Sequence, residues 1–530
     1  MSTSPSAQTT PRPGTEASPH EAARALTRRF GLPKGGQAER FAAAQVQICR
    51  KRPDLYPYVY PIQNHVREGT APPNPPSSSK ALRAVKGAIK RMGGRPLRAV
   101  NDHLPRPTYT ADVLLCPTWV WERPQEIRLH IDLLTGLLKT GRSVLVLLRR
   151  GSTTAERMHE EAAALGAADQ VTLLDPRGRL GRIQDRLHLD GTAGRARTDT
   201  QAVLDALRPA GLTLSADAYD MMAWTARCRQ MWERWRPHLR FDAAVVRCHW
   251  LPLCSSVALT ARERGVPVTT LQQGVVSHTM DVPVMADQYV CFGDASAGTL
   301  RSLDADVAEA TGQPVQCTNY VPTGSLIDPI ENPEPAFEAG TLLVIGQFTD
   351  WATDYYGLHD QKAALFSLLR RLLTDTETVA KVVVRPHPAA SDAKTWEPLR
   401  TDFPQQVVFS DAHERPISYD FRRASAVLGL FSGALATAAA WGRPTFFLSD
   451  PNGFHTPDLA PFSGQSAPAA SLVDRVRSTL ENRSTYHREA HQAYEAASDY
   501  YCDGKSASFS PSFVDALMNS QLSTASHSQS

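Results

Sequence analysis

From Ala111 onward the chain alternates short apolar runs with helical segments, breaks once at a stretch rich in proline and acid, and then resumes the same alternation. The runs ADVLLCPTW, RSVLVLLRR, AADQVTLL, FDAAVVRCHW, VPVTTLQQG and ADQYVCFG are short and almost continuously apolar. That pattern predicts parallel strands covered on both faces, with helices at Pro124–Thr140, Ser255–Arg264 and Ala295–Thr311 as the cover. IDPIENPEPAFEAG then reads as an interdomain linker. Beyond it TLLVIGQ, KVVVRPH, VVFS, AVLGLF and TFFLS form a second set of strands, with helices at Asp360–Leu373 and Ala434–Trp441. The expected fold class is α/β, two Rossmann-like domains facing across a cleft, preceded by a helical and disordered N-terminal extension. A cleft between two such halves is the default place for a ligand.

A chain of 530 residues is too long for one core. The expected organisation is a disordered start at 1–18, a helical extension at 19–105, a first Rossmann-like domain at 106–327, a linker at 328–340, a second at 341–502 and a tail at 503–530. Within the extension, His20–Phe30 and Ala38–Arg50 read as helices. After the Pro/Ser linker APPNPPSSS, Leu82, Val85, Ile89 and Met92 share one helical face, while Lys80, Arg83, Lys86, Lys90 and Arg91 lie mostly on the other. Such a helix either lies on an anionic membrane or packs on its own domain with a solvated face. The net charge of +3 gives no whole-chain argument for nucleic acid, and no interleaving of aromatic and basic residues supports one. The 8 cysteines include no CxxC pair, so RCHWLPLC reads as a buried strand end rather than a zinc site. Free thiols, a Ser/Thr/Pro-rich N-terminus without an apolar core and the lack of any apolar run near the roughly 20 residues of a membrane span together predict a cytoplasmic protein.

Two stretches carry the chemistry. KVVVRPHP is a β-branched run ending in His387, held between two prolines. AVLGLFSGALATAAAWGRPTFFL is an apolar run ending at Ser432 and Gly433, an Ala-rich helix, a Gly-Arg-Pro stop and another apolar run. A strand followed by Ser-Gly and a helix leaves free N–H groups and the positive end of a helix dipole just beyond the strand, where an anion can sit. A histidine ending a nearby parallel strand faces the same crevice, because open α/β sheets bind ligands outside the carboxyl ends of their strands. The pair predicts a nucleotide phosphate site. His387 either donates to the phosphate or ends a strand in the core; Ser432 either contacts ligand or only caps its helix.

The two halves, the RPHP element and the strand–Ser-Gly–helix–GRP element resemble GT-B glycosyltransferases, over roughly 111–500. The nearer resemblance is to the bacterial surface-polysaccharide branch, with its capsule Kdo and sialic acid transferases and CDP-glycerol glycerophosphotransferases. PTWVWERPQEIRLHIDLLTGLLKTGRSVLVL is similar to the W-x-x-RPQ opening of many GT-B enzymes. The resemblance implies that His387 contacts the donor phosphate and that Arg385 supports it, unless that guanidinium pairs with an acid instead. It also implies that the donor passes the backbone at Gly346 and Gln347, with Thr437 one turn into the phosphate helix, in contact or packed. VPVTTLQQGVVSH resembles the point where several members carry a His-Gly pair. Gln273 and Gly274 stand there instead, so that histidine's role as base does not carry over, and His278 is a nearby substitute. Glu122, after the first strand, and His249 are further candidates for a general base acting from the acceptor domain.

The implied activity is metal-independent transfer of a sugar or glycerophosphate-like unit from a nucleotide-activated donor. The acceptor would be a glycan, a lipid-linked carrier or a small molecule, and no cofactor is expected beyond the donor itself. Alternatives are a non-hydrolysing UDP-sugar 2-epimerase, for which no convincing acidic set is found, and a non-catalytic nucleotide-sugar or polysaccharide-binding subunit, favoured by the missing His-Gly histidine. Asp304-Ala-Asp306 is a nominal DxD inside a helical segment. There is no P-loop and no GxGxxG after a strand.

Overall fold

The computed structural model describes residues 18–518 except 64, 69–106, 118–123, 149–151, 176–192, 216–217, 277–280, 327–329, 331–336, 338–339, 347, 349, 375–377, 388–392, 412–414 and 451–452. The basic segment Lys80–Met92 and the candidates Glu122, His278 and Gln347 therefore lie outside the described residues.

The first domain is built on seven strands: β1 Val113–Cys116, β2 Val144–Leu147, β3 Val171–Leu174, β4 Ala243–Val246, β5 Val268–Leu271, β6 Gln288–Cys291 and β7 Asn319–Pro322. All pair in parallel, in the order β3-β2-β1-β4-β5-β6-β7. The second domain holds β8 Thr341–Ile345, β9 Lys381–Arg385, β10 Val407–Phe409, β11 Ala426–Gly429, β12 Thr445–Leu448 and β13 Ser466–Ala467, again all parallel, in the order β10-β9-β8-β11-β12-β13. Each sheet thus starts in its middle, winds to one edge, and returns to wind to the other. This is the doubly wound Rossmann order, and its reversal point lies between β1 and β4 in one half and between β8 and β11 in the other. The two expected Rossmann-like halves are thus both present. The strands VLLC, VLVL, AAVV, VTTL, QYVC and TFFL are buried at every position, as a sheet covered by helices on both faces requires.

A buried ion pair fixes the carboxyl edge of the first sheet. Arg247, immediately after β4, has a fully buried side chain and reaches Glu126 through two bonds of 2.8 and 3.1 Å. Glu126 belongs to the helix Pro124–Lys139, which follows β1. The remaining guanidinium nitrogen donates to the carbonyls of Leu271 and Gln272, at 3.0 Å each, where β5 ends. One cation thereby joins the helix after β1 to the ends of the neighbouring strands β4 and β5.

The chain does not finish in the second domain. The helix Arg483–Tyr500 places Phe292 of the first domain against Tyr500 and Tyr501, at ring separations of 5.9 and 5.5 Å. Residues 503–518 are not a free tail. The Ala507 amide donates to Ser325 and the Ser325 amide to Lys505. A last helix at 511–518 lies on Pro124–Lys139, with Val514 filling the space that a side chain at Gly136 would need. Among the described residues no helix is long and apolar enough to cross a membrane.

Removing one partner of a buried ion pair strands the other in a medium that cannot solvate it. Glu126→Ala is expected to lower unfolding stability by about 3–5 kcal/mol in urea titration. Glu126→Leu combined with Arg247→Met should recover part of that loss, leaving the Leu271 and Gln272 carbonyls without their donor.

Candidate functional site

The reversal point of the second sheet sets the site. β8 ends at Ile345 and Gly346 and β11 at Gly429, and the chain then turns through Leu430, Phe431 and Ser432 into the helix Gly433–Ala440. The turn is tight because a side chain at Gly429 would crowd both Leu435 and the carbonyl of Ile345, at 3.0–3.3 Å. Ser432 is the N-cap in extended geometry, its hydroxyl accepting from the Ala434 amide at 3.2 Å. Capping is therefore shown; it does not use up the site. A Cβ built on Gly433 meets nothing within 4 Å, so there is open space beside the first residue of the helix. Its first turn carries no acidic residue to offset the positive end of the helix dipole.

His387 follows β9, which is separated from β11 only by β8, so the two candidate groups stand about two strand spacings apart, roughly 10 Å, along one edge. His387 is exposed at that edge. Arg385 is different. It is buried, and its guanidinium donates to Asp420 at 2.5 Å, Ser410 at 3.2 Å and the Arg415 carbonyl at 2.7 Å. The ion-pairing alternative therefore holds for Arg385, which braces the ends of β9 and β10. Thr437 is also turned inward, its hydroxyl shared between the Gly433 carbonyl at 3.0 Å and the Tyr501 hydroxyl at 3.2 Å, so it packs rather than faces ligand. Gly346 lies against the indole of Trp396, where a Cβ would stand 3.1 Å away, so its side of the strand is filled.

On the facing domain, Gln273 and Gly274 follow β5. Gln273 accepts from the Cys248 thiol at 3.3 Å, and a Cβ on Gly274 meets nothing within 4 Å. His249 does not serve as a base in this arrangement. It is fully buried, edge-on to Tyr289 at 5.8 Å, and burial pushes its pKa down to about 3. Cys248 and Cys254 point to different partners, the latter to Cys116 at 3.7 Å. Asp304 accepts from the Val284 amide and the Tyr320 hydroxyl, while Asp306 pairs with Arg29, so the nominal DxD is divided between two structural tasks.

One group was invisible to the sequence reading. Asp458 belongs to the second domain, in the 3-10 segment Pro457–Gln465, and is fully buried. Its Oδ2 accepts from the Val276 amide at 3.0 Å, the Ser296 hydroxyl at 3.4 Å and the Tyr500 hydroxyl at 3.0 Å, and its Oδ1 has no partner among the described residues. Val276 closes the Gln273–Gly274 loop, so this carboxyl joins the two domains beside the candidate acceptor wall. Burial pushes it up to about 7. The available signal was an acid set among Leu459, Phe462 and two prolines, a composition that a surface loop shares.

No protein-family model matches the sequence, and no curated protein matches it. Among solved structures the chain is similar to an α,α-trehalose-phosphate synthase (UDP-forming) from Burkholderia vietnamiensis, with 13% identity, 78% of this chain and 100% of that one covered, and a TM-score of 0.44. It is similar also to S. aureus MnaA in a co-structure with UDP, with 12% identity, coverages of 74% and 93%, and a TM-score of 0.42. A glycosyltransferase from Rickettsia africae gives 10% identity, coverages of 80% and 99%, and a TM-score of 0.42.

The Asp458 carboxyl gives a signed pH test. Its folded pKa lies near 7, above the ordinary value of about 3.9 for an unfolded aspartate. Its contribution to stability is therefore complete below about pH 4 and is lost as pH rises through 7. Asp458→Asn keeps the acceptor for Val276 and Tyr500 but does not titrate. It should gain on the wild type by roughly 1–3 kcal/mol between pH 5 and pH 8, measured by chemical denaturation at each pH.

Proposed function

We propose that the protein is a glycosyltransferase that takes a sugar or glycerophosphate-like unit from a nucleotide-activated donor held by the second domain. The observation that carries this reading is the acid-free helix start at Ser432 and Gly433, with open space beside Gly433, set at the reversal point of a doubly wound sheet. Backbone N–H groups there donate to a phosphate without reorganising, and an imidazole at His387 adds a further donor that stabilises the departing nucleotide as the bond to the transferred unit breaks. Positive charge from the helix end and the imidazole makes a metal unnecessary in this scheme.

The acceptor enters along Gln273 and Gly274, and its hydroxyl loses a proton to a base of the first domain, with Glu122 and His278 as the sequence candidates. The donor backbone contact at Gly346 and Gln347 completes the scheme. A surface glycan or a secondary metabolite is the proposed acceptor class, and the basic segment Lys80–Met92 is proposed to bring the enzyme to an anionic membrane at the inner face of the cell.

Calorimetric titration with CMP, CDP, UDP, GDP and ADP tests the donor site. One nucleotide should bind, with affinity reduced about tenfold or more in His387→Ala. Ser432→Gly separates capping from ligand contact, since glycine costs a cap only a few tenths of a kcal/mol; a further loss of affinity assigns the hydroxyl to the phosphate. If none of the five nucleotides binds, the donor site is refuted.

A further inference from the structure

The N-terminal helices touch both domains. Pro19–Arg28 and Gln37–Lys51 pack on the helix Asp294–Thr311 of the first domain, where Arg29 pairs with Asp306 at 2.7 Å and Gln45 donates to the Val282 carbonyl at 2.8 Å. The turn between them reaches the second domain. The Phe30 ring stacks on Phe454 at 6.4 Å and 13°, and the Phe30 carbonyl accepts from the His455 amide at 3.1 Å. Gly31 leaves room for the Gly453 carbonyl, with which any Cβ would collide, and Pro33 abuts Gly357. Phe454 in turn lies 4.4 Å from Tyr356 and 4.6 Å, edge-on, from Phe431. Phe431 is the residue before Ser432.

We propose that residues 29–33 form a clasp in which Phe30 is a positioning residue for the anion-binding turn at Ser432 and Gly433, acting through Phe454 and Phe431. This rests on the donor-site reading above. The anchor of the turn is half aromatic and half backbone: Phe431 packs on Phe454, and that stack is completed by the Phe30 ring of the N-terminal segment. Because the same segment is tied to the first domain through Arg29 and Gln45, the clasp also sets where the donor turn stands relative to the acceptor side. Aromatic contacts of this kind are worth enough to move a binding constant several-fold when their geometry is lost.

The test compares Phe30→Ala, Phe30→Leu, Gly31→Ala and Gly35→Ala with the wild type. Gly31 and Gly35 have φ of +62° and +69°, so alanine strains both equally, but only the Gly31 substitution meets a neighbour. Calorimetry with UDP and CDP should show affinity about five- to tenfold weaker in Phe30→Ala and Gly31→Ala. Gly35→Ala should match the wild type, and Phe30→Leu, which keeps the apolar body, should recover most of the loss. Hydrogen exchange at the amides of 433–435 should quicken in the two weakened variants alone. Wild-type affinity and exchange in Phe30→Ala and Gly31→Ala overturn the clasp, as does equal damage from Gly35→Ala. If neither nucleotide binds the wild type, the donor reading falls, and the exchange pattern by itself decides whether the clasp holds the turn.

Discussion

Each half of the molecule fastens its carboxyl edge with one buried guanidinium. Arg247 gathers the helix after β1 and the ends of β4 and β5; Arg385 gathers the ends of β9 and β10 and the short helix Ile417–Phe421 through Asp420. A parallel sheet concentrates its loops at that edge, and loops are the part of a Rossmann unit least constrained by the ladder. A planar cation with several fixed donors can hold several of them at once, which no apolar side chain can do. Both arginines are thereby committed to structure.

The domains meet through polar and aromatic contacts. Asp458 takes its three donors from a loop and a helix of the first domain, through Val276 and Ser296, and from the helix that returns to it, through Tyr500. Beside it, Phe292, Tyr500, Tyr501 and Phe462 form an aromatic cluster at ring separations of 4.8–5.9 Å. A carboxyl in such surroundings is held close to the neutral form. The relation between the halves is thus tied to a group whose charge changes near neutral pH, while the sheets themselves are indifferent to it.

The regular parts of this arrangement were legible in sequence because each strand of the winding is a short apolar run closed by a turn signal. The runs around Val113, Val144, Val268, Thr341, Lys381 and Ala426 are all strands, and the Ala-rich helix expected at Ala434–Trp441 spans Gly433–Ala440, one residue earlier at each end. β7 was missed because NYVP is half-buried, with a proline at its end and polar residues before it. Asp458 was missed because its burial is supplied by Val276, Ser296 and Tyr500, none of them near it in the chain, and local composition cannot report that. Arg385 left two readings open for the same reason: the ligand and Asp420 are both anions, and only the position of the 417–421 helix decides between them. The N-terminal helices read as an extension since nothing in their own periodicity reveals that Phe30 completes a stack with Phe454.

The return of residues 503–518 to the first domain bears on the order of events during translation. The sheet of the first domain is complete once Pro322 has been made, yet the cover of its helix Pro124–Lys139 comes from Phe509 and Val514, and the Ser325 loop waits for Lys505 and Ala507. The half synthesised first is therefore the half finished last. A nascent chain must carry that uncovered helical face through the synthesis of an entire second domain, an interval in which chaperones at the ribosome have an apolar surface to hold.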